Sequence, residues 1–183
     1  MKNAYHHGDL RAALTTAGLK LLAERTADDL SLRELARVVG VSPTAVYRHF
    51  PDKAALMAAL ARAGLEQLAA AQHAAFDAAG GGGGGFAATG RAYVRFALEN
   101  PALFRLVFST PRPADVLAAG APPQDEALAF LLANAAGSGG PWGGRSAETT
   151  ALQAWSLAHG LAMLMLDGQV PHDQALIDAA LGS

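Results

Sequence analysis

The twenty residues from Ser31 to Phe50, SLRELARVVGVSPTAVYRHF, constrain the fold more than any other stretch of the chain. Ser31 and Glu34 have the spacing of a capping box, in which a hydroxyl accepts from the third amide of a helix and the acid bonds back to the cap. Leu32, Leu35, Ala36 and Val39 give the helix that follows one apolar face. Gly40 is placed to stop it, since glycine takes the left-handed backbone without steric cost. One residue further on, Ser42 is a second cap and Pro43 falls at the first helical position, where its missing N–H is not needed. The next helix is therefore about two turns long and ends at Pro51. Val46 and Phe50, four apart, point one way; Pro43, Thr44, Tyr47 and Arg48 point the other. Such a helix must be held down by its apolar side, and it offers the opposite side to something else.

Two short helices joined by a tight glycine turn make the helix-turn-helix pattern. A helix presented in this way fits the major groove of double-stranded DNA and meets base edges with its N-terminal side chains. The DNA-facing set expected here is Arg33, Ser42, Pro43, Thr44, Tyr47, Arg48, His49 and Lys53. Arg48 can pair with guanine O6 and N7, and Thr44 can bond a base or touch a thymine methyl. Tyr47, His49 and Lys53 suit phosphate oxygens, which fix position and not sequence. The alternative is a solvated polar face with no partner.

Charge supports the DNA reading modestly. Residues 1–53 carry eight Lys or Arg and six Asp or Glu, 8 − 6 = +2, while residues 54–183 carry six and ten, 6 − 10 = −4. A basic end on an acidic body is the asymmetry expected when one part meets phosphate. The chain has no cysteine, which removes disulfides, thiolate metal sites and thiol nucleophiles from consideration. The first thirty residues lack the unbroken apolar core of a signal peptide, and the most apolar run, Ala151 to Leu166, is shorter than the roughly 20 residues a membrane span needs. A cytoplasmic protein without membrane contact is expected.

The periodicity is helical almost throughout, and no strand-like alternation stands out. An all-α fold of about nine helices is expected, with a helix over Asp9–Arg25, a long one from Lys53 to Ala79, and others over Ala87–Glu99, Pro101–Ser109, Pro123–Ala136, Ala147–Leu166 and Pro171–Leu181. Six glycines, Gly80 to Gly85, are expected to form a flexible linker, because glycine is a poor helix former. They lack the preceding strand and the Lys-Ser/Thr ending of a phosphate loop. Thr110–Pro122 and Gly137–Ser146 read as Pro/Gly-rich loops. A DNA-binding domain over residues 1–52 and a sensing and dimerisation domain over 53–183 follow.

The stretch SLRELARVVGVSPTAVYRHFPDKAALMAAL closely resembles the DNA-binding segment of the TetR family of one-component transcriptional regulators. Tyr47, His49, Phe50, Lys53 and Leu56 carry the signature. YHHGDLRAAL at the start and Ala154 to Gly160, AWSLAHG, resemble the branch whose C-terminal domain is named for a Trp-His-Gly motif. The adjacent His6 and His7 belong to that opening and are not read as a metal site. The resemblance implies a three-helix DNA-binding domain, a larger helical sensing domain, and a homodimer on a palindromic operator. It also implies that the fourth helix moves when ligand binds. Many relatives differ near Pro43-Thr44-Ala45, so the operator sequence does not carry over.

In the C-terminal part, Tyr93 with Phe96, Phe104 with Phe108, and Trp155, His159 and Met163 fall at helical spacing. They serve either as plain core or as the lining of an apolar pocket with a few placed polar groups. His159 is either a core histidine satisfied by one hydrogen bond or a contact to a small-molecule effector. No acid lies one turn from it and no second histidine is near, so neither a metal nor a general base is expected there. Ala147–Leu166 is apolar around most of its circumference, which with Pro171–Leu181 suggests a homodimer interface; Ala151, Ala154, Ala158 and Ala162 would admit a partner helix closely. The function expected is a ligand-responsive regulator, most simply a repressor, with neither enzymatic activity nor cofactor. The alternative is a helical small-molecule-binding or interaction module without DNA binding.

Overall fold

In the computed structural model, residues 7–109, 122–135 and 146–182 are described. Residues 1–6, 110–121, 136–145 and 183 lie outside them, and with them most of the two segments expected as Pro/Gly-rich loops. The described residues form nine helices and no strand: α1 (His7–Glu24), α2 (Leu32–Val39), α3 (Pro43–His49), α4 (Lys53–Ala78), α5 (Gly82–Glu99), α6 (Pro101–Ser109), α7 (Glu126–Ala135), α8 (Ala147–Leu166) and α9 (Gln174–Leu181). The chain divides into two compact units, and the division passes through α4 after Gly64.

The first unit holds α1, α2, α3, the start of α4, and α6, which packs on α1. Its core is built from Leu14, Leu22, Leu30, Leu35, Val46, Phe50, Leu56 and Phe104, all essentially buried. Leu10, Leu14 and Leu21 of α1 face inward, and Gly18 is buried in the same stripe. A methyl group on Gly64 would lie 2.8 Å from Val107 and 2.9 Å from Leu103, so the glycine lets α6 close on α4.

The second unit holds the rest of α4 with α5, α7, α8 and α9. α8 packs chiefly on α5, and α7 and α9 flank the pair. Arg91 on α5 fixes α9 by donating to the Gly182 carbonyl and lying 3.7 Å from Asp178. α9 starts at Gln174, three residues after Pro171, because the Asp173 carboxylate caps it by accepting from the Ala175 amide. α7 likewise starts at Glu126 and not at Pro123, with Asp125 accepting from the Leu128 amide.

The glycine run is shorter as a connector than composition suggests. α5 begins at Gly82 and not near Ala87, and four glycines form its first turn. Gly80 and Gly81, with φ of +77° and +74°, make the reversal, and their amides close onto Asp77 and Phe76 carbonyls. Packing outweighs the poor helix propensity of glycine here. A methyl group on Gly85 would sit 2.7 Å from Phe76, whose ring is held edge-on against Phe130 with centroids 5.3 Å apart. Gly84 faces open space. Gly84→Ala is therefore expected to raise stability by up to ~1 kcal/mol through helix propensity. Gly85→Ala is expected to lower it by about 1–3 kcal/mol through overpacking. Thermal melts of the two variants check the opposite signs.

Candidate nucleic-acid interface and sensing cluster

The turn before α3 forms as its residues dictate. The Ser31 hydroxyl accepts from the Glu34 amide at 3.2 Å, and Glu34 pairs with Arg25 at 2.7 Å and Arg37 at 3.5 Å. Gly40 takes φ +76°, and the amides of Gly40 and Val41 close onto the carbonyls of Arg37 and Ala36. Ser42 then caps α3 by accepting from the Ala45 amide at 3.3 Å. Before α2, the Thr26 hydroxyl and amide both donate to Asp29, and these bonds, reinforced by the charges of Arg25 and Lys53, hold the Asp29 carboxyl below its ordinary range.

Val46 and Phe50 are fully buried and anchor α3. Pro43, Thr44, Tyr47 and Arg48 are all exposed, Tyr47 by 46% despite its large ring. At about 100° per residue these four span one arc of roughly 140°, with Pro43 at the edge next to the anchors and Thr44 and Arg48 farthest round from them. Ser42, which caps α3, and Arg33 on α2 are exposed as well. His49 falls outside the arc and is half-buried. Lys53 is half-buried too, with its ammonium donating to the Asp28 carbonyl at 2.6 Å, so it ties the start of α4 to the loop before α2.

One contact at this helix has no periodic signal in the sequence. The Arg11 guanidinium, from α1, donates to the His49 carbonyl at 2.9 Å and lies 4.7 Å from the Phe50 ring centroid. Its hydrogen-bond partner is a backbone atom, and no side-chain spacing announces that.

In the second unit the structure brings Tyr93, Trp155 and His159 together. The Trp155 indole donates to the Tyr93 hydroxyl at 3.2 Å, and that hydroxyl lies 2.8 Å from His159 Nδ1. An indole N–H can only donate, so the tyrosine oxygen accepts there, while its bond to Nδ1 of a neutral imidazole runs in the direction that the tautomer sets. Burial lowers the His159 pKa and favours that neutral form. Phe96 is buried on the same helix as Tyr93, and Met163 is half-buried one turn beyond His159. Phe104 and Phe108 pair with each other, ring centroids 4.8 Å apart, on α6 in the first unit.

The pH consequence has a definite sign. Well above the ordinary value of 6.5 both states hold His159 neutral and its contribution to stability is complete. As pH falls below that, the unfolded chain takes a proton that the folded chain resists, so stability declines until the lowered folded value is passed. Denaturant midpoints at about pH 7.5 and about pH 5.5 should differ less for His159→Phe than for the unaltered protein.

Sequence spacing misses a buried polar group in this unit. Gln72 is only 6% exposed, and its Oε1 has no hydrogen-bond partner among the described residues. A buried unsatisfied acceptor costs about 1–3 kcal/mol. Gln72→Leu, which fills the same space without the acceptor, is expected to raise the melting temperature.

The stripe of small residues on α8 faces inward. Ala151, Ala158 and Ala162 are buried within the unit, whose α5, α7 and α9 all pack on α8, and Ala154 is half-buried. The expectation that Ala151, Ala158 and Ala162 face a partner chain is therefore corrected. The outward residues of α8 are Leu152, Leu157 and Leu164, exposed by 50%, 41% and 47%.

The capped turn, the anchored short helix and its exposed polar arc define a helix-turn-helix regulator. Residues 14–60 match the family of bacterial regulatory proteins, tetR family, and residues 86–182 match the Tetracyclin repressor-like, C-terminal domain. The chain belongs to the TetR family of transcriptional regulators. It is 50% identical over 42 residues to an uncharacterized HTH-type transcriptional regulator of Haemophilus influenzae, covering 23% of this chain and 20% of that one. Among solved structures, a protein of unknown function from Rhodococcus sp. RHA1 is 32% identical, with a TM-score of 0.75 over 98% of this chain and 93% of the other. A tetR-family transcriptional regulator from Streptomyces coelicolor shares the fold at 24% identity, with a TM-score of 0.61 over 93% of this chain and 76% of that one. No helix among the described residues is long and apolar enough to cross a membrane.

Proposed function

We propose that this regulator is a ligand-responsive repressor that binds a palindromic operator as a homodimer and releases it when a small apolar or amphipathic effector enters the second unit. The exposed arc of Pro43, Thr44, Tyr47 and Arg48 over buried Val46 and Phe50 carries the operator reading. Arg48 and Thr44 read base edges, while Tyr47, with His49 at the end of α3 and Lys53 at the start of α4, serves position along the phosphates. The Tyr93–Trp155–His159 cluster supplies the polar contacts of the effector site, in keeping with the Trp-His-Gly branch of the family.

The outward leucines of α8, together with α9, supply the dimer interface, since large apolar side chains left exposed on one helix favour association. A two-fold axis through it places two copies of α3 on half-sites about one helical turn or more apart. α4 runs through both units and is the element that effector binding shifts. The effector must bind the DNA-free form more tightly, by about 1–3 kcal/mol for typical coupling.

A gel shift with the duplex upstream of the protein's own coding sequence tests this reading. The expected result is a discrete complex at low salt that dissolves as salt rises. No complex at low salt would leave a small-molecule-binding module without DNA binding as the better account.

A further inference from the structure

A helix as short as α3 has little stability of its own, and its angle on the duplex is only as well defined as the contacts at its two ends. The N-terminal end is set by the Gly40 turn and the Ser42 cap. The Phe50 amide closes the C-terminal end by donating to the Val46 carbonyl, but the last carbonyls of any helix lack an intrahelical donor. Arg11 meets that deficit. It donates to the His49 carbonyl at 2.9 Å and stacks over the ring of the next residue, Phe50, which is itself fully buried. A cation at a helix C-terminus is also favoured by the helix dipole.

The two contacts restrain different motions. The hydrogen bond opposes sliding of α3 along its axis, and the stack opposes rolling of the Phe50 end. The base of the clamp is firm, because Leu10 and Leu14 on either side of Arg11 in α1 are buried. Recognition geometry must be held within about 0.5 Å and 10–20° to be productive. The planar, five-donor guanidinium suits this double role; a lysine ammonium keeps the charge and a donor but not the flat face.

We propose that Arg11 is a positioning residue for DNA reading: it fixes the tilt and roll of α3 from α1, and so contributes to discrimination between base sequences through Thr44 and Arg48 without itself touching DNA. This rests on the assignment of α3 as the base-reading helix. A residue that only bonded phosphate would act differently, strengthening binding to all duplexes and steepening the salt dependence.

The experiment selects a preferred duplex from a randomised pool with the unaltered full-length protein. Fluorescence anisotropy then compares that duplex with a scrambled one of equal length over a salt series, for the unaltered protein, Arg11→Lys and Arg11→Ala. Arg11→Ala is expected to lose about tenfold in affinity for the selected duplex, with scrambled-duplex binding and the slope of log K against log salt unchanged. Arg11→Lys should fall between. Equal loss on both duplexes with a slope shallower by about one overturns the proposal in favour of a direct phosphate contact. Unchanged discrimination in both variants overturns it as well. Should Arg11→Ala not fold at the assay temperature by circular dichroism, Arg11→Lys decides, and wild-type discrimination in that folded variant overturns the proposal. Failure of the unaltered protein to select any sequence removes the base-reading assignment itself, and the proposal with it.

Discussion

Phe50→Ala should destabilise the first unit by about 3–5 kcal/mol, the usual cost of truncating a buried phenylalanine. Phe50 is fully buried, and it is the C-cap of α3, the ring under Arg11 and the last residue before the Pro51 break. Its loss opens a cavity and frees the C-terminal end of α3 together. A typical domain is stable by only about 5–15 kcal/mol, so a large share of the margin disappears. Urea denaturation followed by circular dichroism should show an earlier transition, and operator binding should fail at temperatures where the unaltered protein still binds. Val46→Ala removes less apolar volume from the same anchor and should lie between Phe50→Ala and the unaltered protein.

Arg48→Ala should weaken binding to the preferred operator by about 1–3 kcal/mol, roughly fivefold to over a hundredfold, and should relax preference at one base pair of each half-site. Tyr47→Ala should instead weaken all duplexes by similar factors. The distinction follows from position on one helix: both side chains are exposed on the same arc, but only the guanidinium has the fork that matches guanine O6 and N7. Thr44→Ala belongs with Arg48, with a smaller effect. Lys53→Ala combines two losses, because its ammonium also ties α4 to the Asp28 carbonyl. Parallel binding series on matched and mismatched duplexes separate these outcomes. Identical behaviour in all four variants would remove the division between reading and positioning residues.

The helix-turn-helix was legible in the sequence because its signals are local. A serine cap, a stop glycine, a second cap and an N1 proline each act through their own backbone and form as their residue types require, whereas the return half of the capping box does not, because the Glu34 carboxylate pairs with Arg25 and Arg37. The anchors Val46 and Phe50 were legible for the same reason, since an i, i+4 spacing is a property of one helix. What spacing could not give was any contact decided across elements. Arg11 reaches a main-chain carbonyl 38 residues away, and the glycines of α5 are helical because Phe76 lies against Gly85. The alanine stripe of α8 illustrates the ambiguity most plainly. Small residues permit close approach, but they do not say whether the neighbour is α5 of the same chain or a helix of another. Likewise Trp155 and His159 share a stripe by period, whereas their common partner Tyr93, 62 and 66 residues away, needed the fold.

The central claim is that α3 reads base edges through Arg48. Guanine N7 methylation interference on the selected operator tests it directly, because the methyl group blocks one acceptor of the bidentate pair and leaves every phosphate intact. The account predicts that methylation of one guanine in each half-site abolishes complex formation for the unaltered protein and has no further effect on Arg48→Ala. Complex formation indifferent to N7 methylation at every guanine, with Arg48→Ala binding as tightly as the unaltered protein, would contradict it.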